Sequence, residues 1–289
     1  MQRRQRSIRF DTNTRFTELA LFEALVSFIV AHAALSTQGT SEYSVVIFYV
    51  IILAMNLIAL ILLYLYGDIK QFVEYNENMM PSAFVWILGG LIAVFFVAVI
   101  ITSQYKTTSI FVPNFTISGI AAVGLTSIMW SVLYNVGLVA NAEETTKLVG
   151  INAIYMYLND NFEGLGETTI KAIAVGVPVG FWALLHAYVA YVGPLMWPLV
   201  ASAFVAGIIL FVVMYKTRSL LAAILVHGLY NVLVLAGTSM GWLNLSQSNT
   251  MLMVQPVYLV GLQVMSVTLI LLNRKKRTLC AKECTESVH

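Results

Sequence analysis

Long apolar runs separated by short polar connections dominate the chain. They extend over Thr17–Leu35, Tyr43–Tyr66, Ser82–Ser103, Phe115–Ala140, Thr168–Val192, Leu195–Tyr215, Ser219–Gly237 and Leu252–Asn273. Crossing the hydrocarbon core of a bilayer as a helix takes about 20 residues. These runs reach or approach that length, and they are far too long for barrel strands. A helix is the default spanning element because it pairs its own backbone groups where no water can do so. The pattern predicts an all-α polytopic membrane bundle of about eight transmembrane helices. It forms a single integral membrane domain over 1–289, with a basic tail at 1–16 and a polar tail at 274–289. One stretch breaks the pattern. Asn141–Glu167 starts polar, turns apolar through Leu148–Leu158 and breaks again at Asn159–Gly166. Its apolar part is too short to span, so it reads as an extension of the preceding helix or as an interfacial helix.

Composition sharpens this picture. Charged residues make up 10% of the chain, against about 25% in a typical soluble domain. Where the charges fall says more than their sum. Arg3, Arg4, Arg6, Arg9 and Arg15 precede the first run, and Lys70 follows the second. Lys216 and Arg218 lie between the sixth and seventh, and Arg274–Arg277 follow the last. Every second connection is positive, while the opposite side holds only Lys106. That alternation places both termini on the cytoplasmic side. The first apolar run contains Glu18 and Glu23 and has no small-residue cleavage site, so it reads as a retained helix. Cys280 and Cys284, the two cysteines, sit in the C-terminal tail and offer no disulfide framework. They read as free thiols or as acylation sites beside the basic cluster.

Against this apolar background a few polar side chains stand out. Holding an ionisable group inside a bilayer costs roughly 2.5–3.5 kcal/mol on insertion scales. Glu143-Glu144, His186 and His227 nevertheless sit in or beside apolar stretches. His227 and Asn231 are four apart and share one helix face. Gly228, beside them, lets another backbone approach closely. Glu143 and Lys147 have the same four-residue spacing and are expected to pair, while Glu144 is turned away by one residue step. Trp182 precedes His186 by one turn and shares its face. A carboxylate, two histidines and an amide arriving on separate helices are the parts of a hydrolytic site. The carboxylate takes a proton from water, the histidines orient that water or polarise the scissile carbonyl, and Asn231 donates to the developing oxyanion. The alternative use of Glu143, His186 and His227 is to hold Zn²⁺, with one coordination position left open.

The order of these residues resembles a family. A Glu-Glu pair, an aromatic-x-x-x-His and a His-x-x-x-Asn on successive helices look like the CPBP intramembrane proteases. Those comprise the type II CAAX prenyl endopeptidases and their bacteriocin-processing relatives. The matching positions are Glu143-Glu144, Trp182-x-x-x-His186 and His227-x-x-x-Asn231. The family's basic residue would fall at Leu148. Lys147 gives Glu-Glu-x-x-Lys instead, which is similar to the PrsW branch of the same superfamily, although that branch usually carries Glu where this chain has His186.

The resemblance implies an endopeptidase that cleaves a membrane-associated polypeptide, including a prenylated one, with Glu143, Glu144, His186, His227 and Asn231 in the site. Lys147 and Trp182 support them. The expected partners are membrane lipid and that polypeptide, with no nucleic acid. Two other readings use the same residues. One is a catalytically silent scaffold subunit that keeps the cluster as helix-packing glue. The other is a proton-coupled transporter, which the lack of an inverted repeat disfavours.

Overall fold

The computed structural model describes residues 50–62, 80–103, 132–185, 196–239 and 259–273. Helix is the only regular secondary structure among them. In chain order the helices are α1 (Val50–Leu62), α2 (Met80–Ser103), α3 (Asn141–Asn161), α4 (Glu167–Leu185), α5 (Met196–Thr217), α6 (Leu220–Ser239) and α7 (Leu259–Asn273). A π-helical segment, Leu133–Ala140, runs straight into α3 with no break, because Ala140 and Asn141 both keep right-handed helical dihedrals. Of the two readings of 141–167, the extension of the preceding helix is the one observed. Tails 1–16 and 274–289, and with them both cysteines, lie outside the described residues, as does His186.

α3 is the centre of the bundle. Every residue from Asn141 to Tyr155 is buried, polar ones included. A helix buried on all sides needs neighbours all round, and α3 packs on α4, α6 and the π segment. Two features let the neighbours come close. A Cβ at Gly150 would lie 3.2 Å from Pro178 Cγ of α4 and 3.3 Å from Leu262 Cδ1 of α7. A Cβ at Gly228 of α6 would lie 2.5 Å from the Val136 Cα of the π segment, so only glycine permits that contact. The sequence expectation for Gly228 is met, and the approaching backbone is the one that leads into Glu143.

The α5–α6 turn fixes how deep α6 sits. Arg218 takes the left-handed conformation (φ 53°) just past the end of α5. The Ser219 N–H then bonds back to the Met214 carbonyl at 3.2 Å, satisfying one of the last carbonyls of α5. Ser219 Oγ in turn accepts from the Ala222 N–H at 3.3 Å and starts α6. α2 packs against both α5 and α6, and α4 packs on α5. α4 passes through Pro178 as one helix.

The outside of the bundle carries large apolar side chains. Phe84, Val85 and Trp197 are each 66% exposed. By length and composition one described helix, over Val200–Thr217, can cross a membrane unaided, and the apolar stretches of α1, α2, α6 and α7 are shorter. About eight spans therefore remains an expectation, because several of the runs reach into residues that are not described.

Candidate active site

Glu143 and Glu144 open α3, where the free N–H groups and dipole of a helix start would ordinarily favour acidic side chains. Here the π segment fills that end, so the carboxylates must find partners on other helices. They find them on α4 and α6. Glu143, Glu144, Lys147, Trp182 and His227 are all 1–4% exposed.

His227 lies between the two carboxylates. Its Nδ1 is 2.7 Å from Glu144 Oε1, and its Nε2 is 3.8 Å from Glu143 Oε2. A carboxylate accepts, so Nδ1 carries the proton in that bond, and in that tautomer of the imidazole Nε2 is the nitrogen with an acceptor lone pair. Lys147 Nζ is 2.6 Å from the same Glu144 Oε1. Its ammonium also sits 3.8 Å from the centre of the Trp182 ring, a cation–π contact. The Trp182 indole N–H donates to Glu143 Oε2 at 2.5 Å. The Trp182 and His227 rings meet edge to face, with centres 5.4 Å apart. Gly207 of α5 makes room for the indole: a Cβ there would lie 3.1 Å from Trp182 Cε3.

Two expectations need correcting. Lys147 pairs with Glu144 three residues before it, not with Glu143 four before it. Glu144 is not turned away from the cluster either, because the imidazole presents one nitrogen to each carboxylate. Both i,i+3 and i,i+4 positions are neighbours on a helix, and the side holding His227 decided between them. Asn231 lies one turn after His227 on α6 and is half-buried.

Among the described residues no group of three His, Cys, Asp or Glu side chains could hold a metal ion. Glu144 Oε1 is already shared by an ammonium and an imidazole. A dication beside Lys147 would add like-charge repulsion in a low-dielectric setting. The described residues do not by themselves fit Zn²⁺, and the metalloprotease expectation gains no support.

Sequence reasoning passed over a second set of buried polar groups. Asn56 of α1 and Gln263 of α7 are fully buried and meet at Thr146 of α3. Their signal was available, since each is a polar side chain inside an apolar run, the criterion that singled out His227. A concavity lies elsewhere among the described residues. It is an apolar groove of about 550 Å³ between α4 and α5, lined by Gly180, Ala183, Trp197 and Phe204 among others. No carboxylate or imidazole lines it.

The profile of the family described as type II CAAX prenyl endopeptidase, Rce1-like, matches residues 126–233. No curated protein and no solved structure matches the chain significantly. The matched stretch holds Glu143, Glu144, Lys147, Trp182, His227 and Asn231 together. Over that stretch the chain is similar to the CAAX prenyl endopeptidase family, which supports the likeness to the CPBP superfamily.

Proposed function

We propose that the chain is a membrane-embedded endopeptidase of the CAAX type, cleaving a lipid-modified or membrane-embedded polypeptide with a glutamate-activated water. The observation that carries this reading is His227 held between two carboxylates, one on each ring nitrogen. Glu144, paired with Lys147, accepts the hydrogen bond from the Nδ1–H and so sets the tautomer. That leaves Nε2 and the Glu143 carboxylate facing each other across 3.8 Å. The gap is too long for a hydrogen bond. One water beside it can bond to both at once.

Glu143 is then the base. It takes a proton as the water oxygen bonds to the scissile carbonyl carbon, and returns it to the leaving amine when the C–N bond breaks. His227 Nε2 accepts the water's other hydrogen and aims the attacking lone pair. Trp182 fixes the Glu143 rotamer through its indole N–H. Asn231, one turn on, donates to the oxyanion. His186 joins them as a further donor on the family's pattern. No step passes through a metal ion.

The test is cleavage of a farnesylated peptide by purified protein in proteoliposomes. Glu143→Ala abolishes it while the thermal unfolding midpoint stays within a few degrees of the parent. An active Glu143→Ala protein removes the base assignment. The scaffold reading draws on one specific observation: the cluster is sealed and its charges are paired. It requires that the parent cut no peptide and that His227→Ala lower thermal stability or partner assembly.

A further inference from the structure

The geometry points to a positioning device outside the proposed catalytic set: Asn56, Thr146 and Gln263 form a three-helix clamp that sets the rotation of α3 and so aims Glu143. Only the kinetic part of this inference rests on the function proposed above.

One hydroxyl joins the three helices. The Gln263 amide of α7 donates to Thr146 Oγ1 at 3.3 Å. Thr146 shares its single proton between the Ala142 carbonyl one turn back, at 2.7 Å, and Asn56 Oδ1 of α1, at 3.1 Å. Asn56 closes the ring by donating from Nδ2 to the same Ala142 carbonyl at 3.1 Å. All three side chains are 0% exposed. Thr146 is three residues from Glu143 and two from Glu144, so whatever holds its azimuth holds theirs.

Stability alone does not account for the arrangement. Gln263 Oε1 is buried with no partner. An unsatisfied buried acceptor is costly, and an apolar side chain of the same volume would avoid it. Apolar contacts between helices tolerate small rotations, whereas hydrogen bonds to one hydroxyl from two directions do not. The magnitudes make this matter. A helix has an outer radius of about 5–6 Å, so a 20° turn carries a carboxylate roughly 2 Å sideways. A misplacement of about 1 Å at a reacting group can cost on the order of 100-fold in rate.

The test uses the full chain in lipid nanodiscs, with ¹⁵N-tryptophan and a farnesylated peptide. The variants are Thr146→Val, which keeps the shape and deletes the hydroxyl, Thr146→Ser, which restores it, and Gln263→Met, which keeps the volume and removes the amide. The Trp182 indole N–H, assigned by its loss in Trp182→Phe, reports the contact with Glu143. Thr146→Val and Gln263→Met are expected to move that signal upfield, toward a free indole, and Thr146→Ser to return it. In step, kcat falls about 10- to 100-fold with KM unchanged. Gln263→Met keeps or raises the unfolding midpoint, because the orphan acceptor is gone. A signal that stays put in the folded variants overturns the clamp, whatever the activity. A signal that moves in a parent that hydrolyses nothing upholds the clamp and rejects the enzyme.

Discussion

At the residue scale the cluster rests on Lys147. It supplies the positive charge that makes a buried Glu144 tolerable. Removing one partner of a buried ion pair costs about 3–5 kcal/mol, because the other is left charged and poorly solvated. Lys147→Met is therefore expected to lower the unfolding midpoint sharply and to abolish cleavage. A double variant, Lys147→Met with Glu144→Gln, recovers much of the stability and none of the activity. Thermal melts of both proteins check this, and equal destabilisation would show that the pair is not a pair. Chelation tests a separate point. Activity is expected to survive EDTA undiminished, since Lys147 already stands where a cation would be wanted. Loss on chelation with recovery on Zn²⁺ would place a metal in the site.

The individual polar residues were legible because each is expensive in its apolar surroundings. The Glu-Glu pair, His227 and Trp182 all come together in space. Which carboxylate Lys147 takes was not legible. Helical spacing allows either, and the choice depends on a histidine 83 positions away in the chain.

At the element scale the controlling contact is between α6 and the π segment. A methyl at Gly228 would meet the Val136 backbone at 2.5 Å, and backbone cannot swing aside as a side chain does. Gly228→Ala must push α6 outward, and overpacking of this kind typically costs about 1–3 kcal/mol. His227 moves with α6, so its Nδ1 leaves Glu144. The variant is expected to lose most of its activity with only a modest drop in stability. Gly90 is a useful comparison. A methyl there meets Val213 Cγ2 at 2.6 Å, a side chain that can turn. Gly90→Ala should therefore keep more activity than Gly228→Ala at similar stability, and the reverse order would separate His227 geometry from this contact. The close approach at Gly228 could be read from a small residue on a polar face. The π segment could not, because an i to i+5 pattern leaves no period that differs visibly from an apolar α-helix. Nor could the passage of α4 through Pro178 be read. A proline inside a helix removes one backbone hydrogen bond and crowds the preceding turn, and here Gly150 lets α3 pack against its ring.

At the scale of the whole molecule, polarity is arranged inside out. Charged and amide side chains gather around α3, while large apolar side chains point outward from α1, α2, α5 and α7. Hydropathy along the chain revealed the apolar exterior but not the number of crossings. Polar core residues such as Asn56, Gln263 and Asn273 sit inside helices that are apolar on their outer faces. An aqueous exterior would penalise such a surface, whereas lipid would not. Two tryptophans make the distinction measurable. Trp197 is 66% exposed on the outside of α5, and Trp182 is 3% exposed beside Glu143. In vesicles containing brominated acyl chains, a protein keeping only Trp197 is expected to lose most of its fluorescence, because bromine quenches on contact. A protein keeping only Trp182 should retain nearly all of it, since α3, α5 and α6 stand between the indole and the lipid. Strong quenching of both would mean that acyl chains reach the carboxylates. The sealed cluster would then be open to the bilayer, and a substrate could enter without any movement of α4 or α5. Quenching of neither would take Trp197 out of the hydrocarbon, and with it the placement of α5 across the membrane.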